Sequence, residues 1–321
     1  MVYDDSPEFH PDLRLARFLP RTSATRGNRR IFRAIARIGN GTPPKGGDLA
    51  DLGDGVTVRV QRPAGASADD GVRRPAVLHM HGGGLIIGSA TQGDSLCRQL
   101  ADELGAVAAS VNYRMPPEHP YPTPLDDCYR ALQWLAAQPD VDPTRIAVIG
   151  ESAGGHLAAA VALLARDRGE IALAGQVLSY PMLDDRTDES AAADPRMLRL
   201  WNGRSNRLGW GMYLGVSAAR AHREGPAATP LDAATLELAV PARRGDLSAL
   251  PPTWIGVGTL DLFHDEDVEY ARRLTATGVE CELHIVPGAY HGFDVAEAKA
   301  EVSRDFLRRQ IEALRGMLGV R

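Results

Sequence analysis

Lysine is almost missing from this chain: Lys45 and Lys299 are the only two among 36 basic residues, and arginine supplies the rest. We read that as codon usage in a GC-rich genome, without functional content. Acidic residues number 41, the net charge is −5, and no basic stripe interleaved with aromatics is present, so nucleic acid is not an expected partner. Cysteine is nearly as scarce. Cys97, Cys128 and Cys281 are odd in number, far apart and set among apolar neighbours, which excludes a disulfide framework and marks them as reduced core residues. There is no apolar run long enough for a bilayer; the most apolar stretch, Leu157 to Ala165, is short and flanked by His156 and Arg166. The first residues, MVYDDSPEFHPDLRL, lack the basic start and apolar stretch of a secretory signal. Arg21 to Arg37 carries six arginines and no acid, a composition shared with transit peptides. Ile31, Ile35 and Ile38 nevertheless fall on one helical face opposite Arg30, Arg33 and Arg37, so an amphipathic helix is the better reading and a cytoplasmic location is expected.

What remains is an alternating pattern. Short apolar runs at Pro75–Met80, Ala106–Asn112, Arg145–Ile149, Gln176–Tyr180, Trp254–Val257 and Glu282–Val286 read as strands. Helical stripes separate them: Leu96/Leu100/Leu104, Leu125/Tyr129/Leu132/Leu135, Ala153–Arg166, Val268–Leu274 and Glu297–Leu318. Strands alternating with helices predict an α/β fold with a mostly parallel sheet covered on both faces. Val56–Gln61 adds a strand after the Gly/Pro/Asp-rich linker TPPKGGDLADLGDG. The rhythm breaks over 184–234, which holds turn residues with Trp201, Trp210 and Tyr213 and no strand signal. The expected organisation is an N-terminal cap segment 1–45, a first core part 46–183, a cap insertion 184–234 and a second core part 235–321.

Gly150-Glu151-Ser152-Ala153-Gly154 matches Gly-x-Ser-x-Gly between a predicted strand and a predicted helix. In that context serine sits on a sharp turn, flanking side chains clash, and the amides of the helix start aim at whatever reacts with Ser152. His81-Gly82-Gly83-Gly84 follows another predicted strand, and its glycines let backbone amides approach a substrate. Gly83, Gly84 and Ala153 are the candidate oxyanion donors. His79 and His81 form His-x-His, but no carboxylate or cysteine cluster accompanies them, so no metal site is expected and His81 reads as a brace for the loop.

A serine nucleophile needs a base, and the base an orienting carboxylate. His284 lies inside a predicted strand and His264 follows Asp261 too closely, whereas His291 occupies the loop after the last strand, free to reach Ser152. Asp261 ends the strand TWIGVGTLD; its rivals Asp265 and Asp267 fall within the next helix, where Asp265 suits capping.

HGGG, GESAGG, Tyr113-Arg-Met-Pro-Pro-Glu118, LDLFHDE and HGF, in this order, closely resemble the bacterial hormone-sensitive-lipase-like (family IV) branch of the α/β-hydrolases, from about Asp51 to the C-terminus. The resemblance implies a catalytic domain with a helical cap and cofactor-free hydrolysis of short- to medium-chain acyl esters. It places Ser152, Asp261 and His291 in the triad and Gly83, Gly84 and Ala153 in the oxyanion hole, and it makes Tyr113, Arg114 and Glu118 structural. Glu151 departs from the aspartate or threonine common in this branch. The expected partners are a small-molecule ester and water. An amide or carbamate hydrolase using the same triad, and a binding-only receptor on the same fold, are the rival readings. Trp201, Trp210, Tyr213 and Leu214 are candidates for the substrate pocket, against the alternative that bulky cap residues merely pack. Nothing in the sequence requires or excludes a homodimer through an edge strand or the terminal helix.

Overall fold

Residues 8–21, 27, 31, 33, 39–192, 194–217, 220 and 224–320 are described by the structure, a computed structural model. Eight strands form one sheet: β1 (Asp48–Gly53), β2 (Val56–Gln61), β3 (Arg74–Met80), β4 (Val107–Asn112), β5 (Val141–Glu151), β6 (Gly175–Ser179), β7 (Thr253–Gly258) and β8 (Cys281–Val286). Their spatial order is β1-β2-β4-β3-β5-β6-β7-β8. β1 and β2 pair antiparallel, as do β2 and β4, and every other pairing is parallel. The helices are α1 (Asp94–Leu104), α2 (Thr123–Ala136), α3 (Ala153–Arg168), α4 (Gly203–Tyr213), α5 (Ala233–Ala239), α6 (His264–Ala276), α7 (Phe293–Ala296) and α8 (Glu301–Met317), with short 3-10 turns between them.

The central strands read as continuous apolar runs because both of their faces are covered. Ala76, Val77, Leu78 and Met80 of β3 and Ile146 to Ile149 of β5 are all buried. α3 is buried on nearly every side, which explains why Leu157–Ala165 is the most apolar stretch of the chain without being a membrane span. Among the described residues no helix is long and apolar enough to cross a membrane. All three cysteines are unbonded; Cys97 and Cys128 are buried and Cys281 partly so.

Two details differ from the sequence pattern. β1 occupies part of the expected linker: the Asp54-Gly55 turn folds it back on β2, pairing Ala50 with Val58. Its residues are exposed or half-buried throughout, so no hydrophobic alternation announced it. β5 starts at Val141, four residues before the apolar run, because its first part is largely solvent-facing. Between β6 and β7 the chain holds α4 and α5, and its described residues there contribute no strand. Most of the helix expected over 28–38 lies outside the described residues, but Arg33 is described and buried.

The topology gathers the chemistry. Met80 pairs with Gly150, so the loops after β3 and β5 (HGGG and the Ser152 turn) leave the sheet side by side. Gly258 pairs with Val286, so the loops carrying Asp261 and His291 leave together as well. All four lie at the carboxyl ends of parallel strands, where crevices form in open α/β sheets.

Candidate active site

Ser152 joins β5 to α3 at φ 56° and ψ −119°, a backbone conformation that a side chain rarely adopts. It is pinned there from both sides. Its amide donates to the Ser179 carbonyl at 2.9 Å, and its carbonyl accepts from the amides of His156 at 3.0 Å and Met182 at 3.1 Å. The flanking glycines are steric necessities: a Cβ at Gly154 would meet the Met80 carbonyl oxygen at 1.9 Å, and one at Gly150 the Gly154 carbonyl oxygen at 2.3 Å.

From this turn the Ser152 hydroxyl reaches Nε2 of His291 at 2.9 Å. Nδ1 of the same ring lies 2.9 Å and 3.1 Å from the two carboxylate oxygens of Asp261. Asp261 Oδ1 also accepts the Phe263 amide at 3.0 Å, which holds the carboxylate in place. All three side chains are buried, and Tyr180 and Phe263 pack edge-on against the imidazole. The rivals stand elsewhere. Asp265 is exposed and bonded to His264, His284 stacks on Trp254, and Asp267 is fully buried on α6 with both oxygens unpartnered among the described residues.

Gly83 (φ 119°) and Gly84 (φ 58°) make the loop after β3 turn back on itself, with the Gly83 carbonyl accepting from Ile86 and Ile87. Ala153 is the first residue of α3, so its amide has no carbonyl one turn back to bond. Among the described residues none of the Gly83, Gly84 or Ala153 amides is spent on a backbone carbonyl. His81 stacks on Tyr113 with ring centroids 4.2 Å apart, and its Nδ1 lies 2.8 Å from the Gly82 carbonyl, while the Tyr113 hydroxyl donates to the His81 carbonyl at 2.8 Å. Burial holds the His81 ring neutral, its pKa lowered to about 3. Arg114 forms a fork with the Asp127 carboxylate at 2.7 and 2.9 Å. His79 bonds Ser110 through Nδ1 and the Glu151 carboxylate through Nε2. Among the described residues no cluster of three metal-ligating side chains exists.

The α/β-hydrolase fold family matches residues 77–295. Esterase LipI of Mycobacterium tuberculosis is 34% identical over 255 residues, covering 78% of this chain and 75% of that protein. Carboxylesterase NlhH of the same species is 37% identical over 222 residues, 68% of this chain and 66% of its own length. The solved structure of a bacterial heroin esterase superposes with a TM-score of 0.80 at 35% identity, covering 97% of this chain and 98% of that one. The chain belongs to the α/β-hydrolases, in their hormone-sensitive-lipase-like branch.

In this α/β-hydrolase a cavity of about 570 Å³ opens on Ser152 and His291, lined by Gly82–Gly84, Ile87, Leu200 and Trp201 and continuing between α1 and α8. Of the four bulky pocket candidates, only Trp201 lines it. Its indole lies on the glycine loop, so close that a Cβ at Gly84 would fall 1.9 Å from the ring. Trp210 and Tyr213 instead meet His156 edge-on at 4.9 and 5.1 Å, and Leu214 is fully buried, so these three pack α4 and its end into the core and do not line the cavity. Trp201 precedes α4 in an irregular stretch, whereas Trp210 and Tyr213 lie on α4 and Leu214 ends it.

One cavity residue, and one residue bonded to the segment after the glycine loop, escaped the sequence reading. Asp294 directly follows the HGF motif and accepts from the Tyr180 hydroxyl at 2.6 Å. Burial, reinforced by the Glu151 charge against the pull of the Tyr180 hydrogen bond, raises its pKa to about 6. Arg33 reaches from the N-terminal segment to donate to the Ile86 carbonyl at 2.7 Å, to the Glu118 carboxylate at 2.5 Å and to the Pro116 carbonyl. Neither carried a local signal, because each acquires meaning only from partners far away in the chain.

Proposed function

We propose that the protein is a serine carboxylesterase that cleaves short- to medium-chain acyl esters through an acyl-enzyme, with Ser152, His291 and Asp261 as triad and Gly83, Gly84 and Ala153 as oxyanion donors. Membership of a family in which the relatives LipI and NlhH are named esterases makes it a carboxylic ester hydrolase. The observation carrying the finer reading is the continuous buried chain from the Ser152 hydroxyl through the His291 ring to Asp261, with both links at 2.9 Å.

The chemistry follows from the geometry. His291 Nε2 takes the proton as Ser152 Oγ attacks the ester carbonyl, and Asp261 holds the tautomer and stabilises the imidazolium. Negative charge develops on the carbonyl oxygen, toward which the unspent loop and helix-start amides are directed. His291 returns the proton to the departing alcohol, and water, deprotonated by the same ring, releases the acid. In this reading residues 184–234 with the N-terminal segment 1–45 form the cap, and Trp201 bounds the pocket.

Amide or carbamate hydrolysis would use the same groups and differs in the demand for leaving-group protonation, which is stricter for an amine than for the alcohol of an ester. A binding-only role leaves an assembled, strained nucleophile without purpose. Hydrolysis of p-nitrophenyl esters of increasing acyl length by wild type and Ser152→Ala, beside an anilide series, tests the proposal. Loss of about 10⁶ in kcat is expected for the folded variant. Unchanged turnover in Ser152→Ala would falsify the assignment, and anilide cleavage at ester-like rates would favour the amidase reading.

A further inference from the structure

Beyond the oxyanion loop the cavity runs between α1, which contributes Leu96 and Gln99, and α8, which contributes Ser303, Leu307 and Gln310. Two carboxylates line it beside the nucleophile, Glu151 and Asp294. Glu151 immediately precedes Ser152, and its oxygens lie 3.0 and 3.1 Å from His79 Nε2, which secures the carboxylate from behind. Asp294 is held from behind by the Tyr180 hydroxyl. Among the described residues the cavity has one permanent cation of its own, Arg304, and that side chain is more than half exposed and turned to Glu301 and the Lys299 carbonyl. An independent observation points to a missing polar partner. Ser303 lines the cavity at 2% exposure, and its hydroxyl finds no hydrogen-bond partner among the described residues. A buried hydroxyl left alone costs stability, and a carboxylate in a narrow crevice is stabilised most by a charged donor.

We propose that this branch is a subsite for a positively charged amine of the substrate, so that the enzyme prefers aminoalkyl esters to their carbon isosteres. Glu151 and Asp294 supply the countercharge, Ser303 accepts an ammonium N–H, and Leu96 and Leu307 flank the alkyl linker. The inference rests on the serine-esterase reading and names a substrate class for the same site. It also gives the unusual Glu151 a use: its longer arm sets the carboxylate on His79 and in the crevice at once.

Two matched pairs test it with the full chain: dimethylaminoethyl acetate against isoamyl acetate, and ethyl dimethylaminobutyrate against the ester carrying CH in place of NH⁺. In at least one pair, kcat/KM for the amine should exceed that for its isostere by about tenfold, the worth of one charge-assisted hydrogen bond. Glu151→Gln should bring that ratio toward one. Asp294→Asn should lower it too, and Ser303→Val provides a third reading should Glu151→Gln fail to fold. Because the ratio is taken within each variant, general damage to turnover cancels. A wild-type ratio at or below one in both pairs, or a ratio indifferent to all three substitutions, overturns the subsite. Ser152-dependent turnover of isoamyl acetate would then leave the esterase reading standing. Failure of folded wild type to hydrolyse any of the four esters overturns both.

Discussion

Adding a single methyl at Gly154 tests how the proposed nucleophile, Ser152, is held. The new Cβ would lie 1.9 Å from the Met80 carbonyl oxygen and 2.8 Å from the His81 carbonyl carbon, where ordinary contact begins near 3.4 Å. Both obstacles are backbone, so no side chain can swing aside; the start of α3 and the end of β3 must part by about 1.5 Å or the turn must rotate. Met80 pairs with Gly150, so the strain falls between the Ser152 turn and the glycine loop, the two parts whose spacing sets catalysis under the proposed mechanism. Overpacking of this kind costs about 1–3 kcal/mol of stability. A displacement near 1 Å at the reacting atoms costs roughly 10² in rate. We therefore expect Gly154→Ala to lower the urea midpoint and to reduce kcat/KM on a short-chain p-nitrophenyl ester about a hundredfold. Gly316→Ala is the control. Nothing lies within 4 Å of its Cβ position, and it sits in the last turn of α8, so it should gain about 0.4–1 kcal/mol with unchanged kinetics. Wild-type kcat/KM in Gly154→Ala, with an unshifted midpoint, would refute the reasoning, because the helix start would then yield without moving Ser152.

Other perturbations have expected signs. Arg33→Ala removes the donor to the Ile86 carbonyl and should cut kcat roughly ten- to a hundredfold with little change in fold; unaltered kcat would show that the glycine loop holds its own shape. His156 is fully buried with both ring nitrogens unpartnered among the described residues, and burial lowers its pKa to about 3. Its folded-state pKa is depressed, so stability is intact above the free-histidine value of 6.5 and falls as pH drops from there toward 3, by up to about 1.4 kcal/mol per unit. His156→Gln should flatten that limb in urea titrations, and parallel curves would contradict it. Asp267 has the opposite sign: burial first, then the charges of Glu266 and Asp261, raise its pKa well above the usual carboxylate value. Folding then takes up a proton, so wild type should lose stability relative to Asp267→Asn as pH rises above about 4, and a constant difference between them would count against this.

Much of the site was legible because its chemistry is local. Gly150 is dictated by contacts within one strand–turn–helix and Gly154 by the backbone of the adjacent strand at Met80, and the same steric logic makes Gly-x-Ser-x-Gly readable without a structure. The alternation of apolar runs and helical stripes reflects strands covered on both faces, so the parallel core was readable too. β1 was not, since its residues pair by backbone alone and are exposed or half-buried. Sequence by itself determined the order of elements, the strained Ser152 turn, the glycine loop and a short set of candidate acids and bases. Tertiary structure decided which of those candidates meet: pairing β7 with β8 brings Asp261 within 2.9 Å of His291, thirty residues on. It also decided that Trp201 lies on Gly84 while Trp210 and Tyr213 close on His156, and that Glu151, Asp294 and Ser303 share one crevice. Periodicity reports which face of an element is apolar, but the partner across a cavity is chosen by the packing of the whole chain.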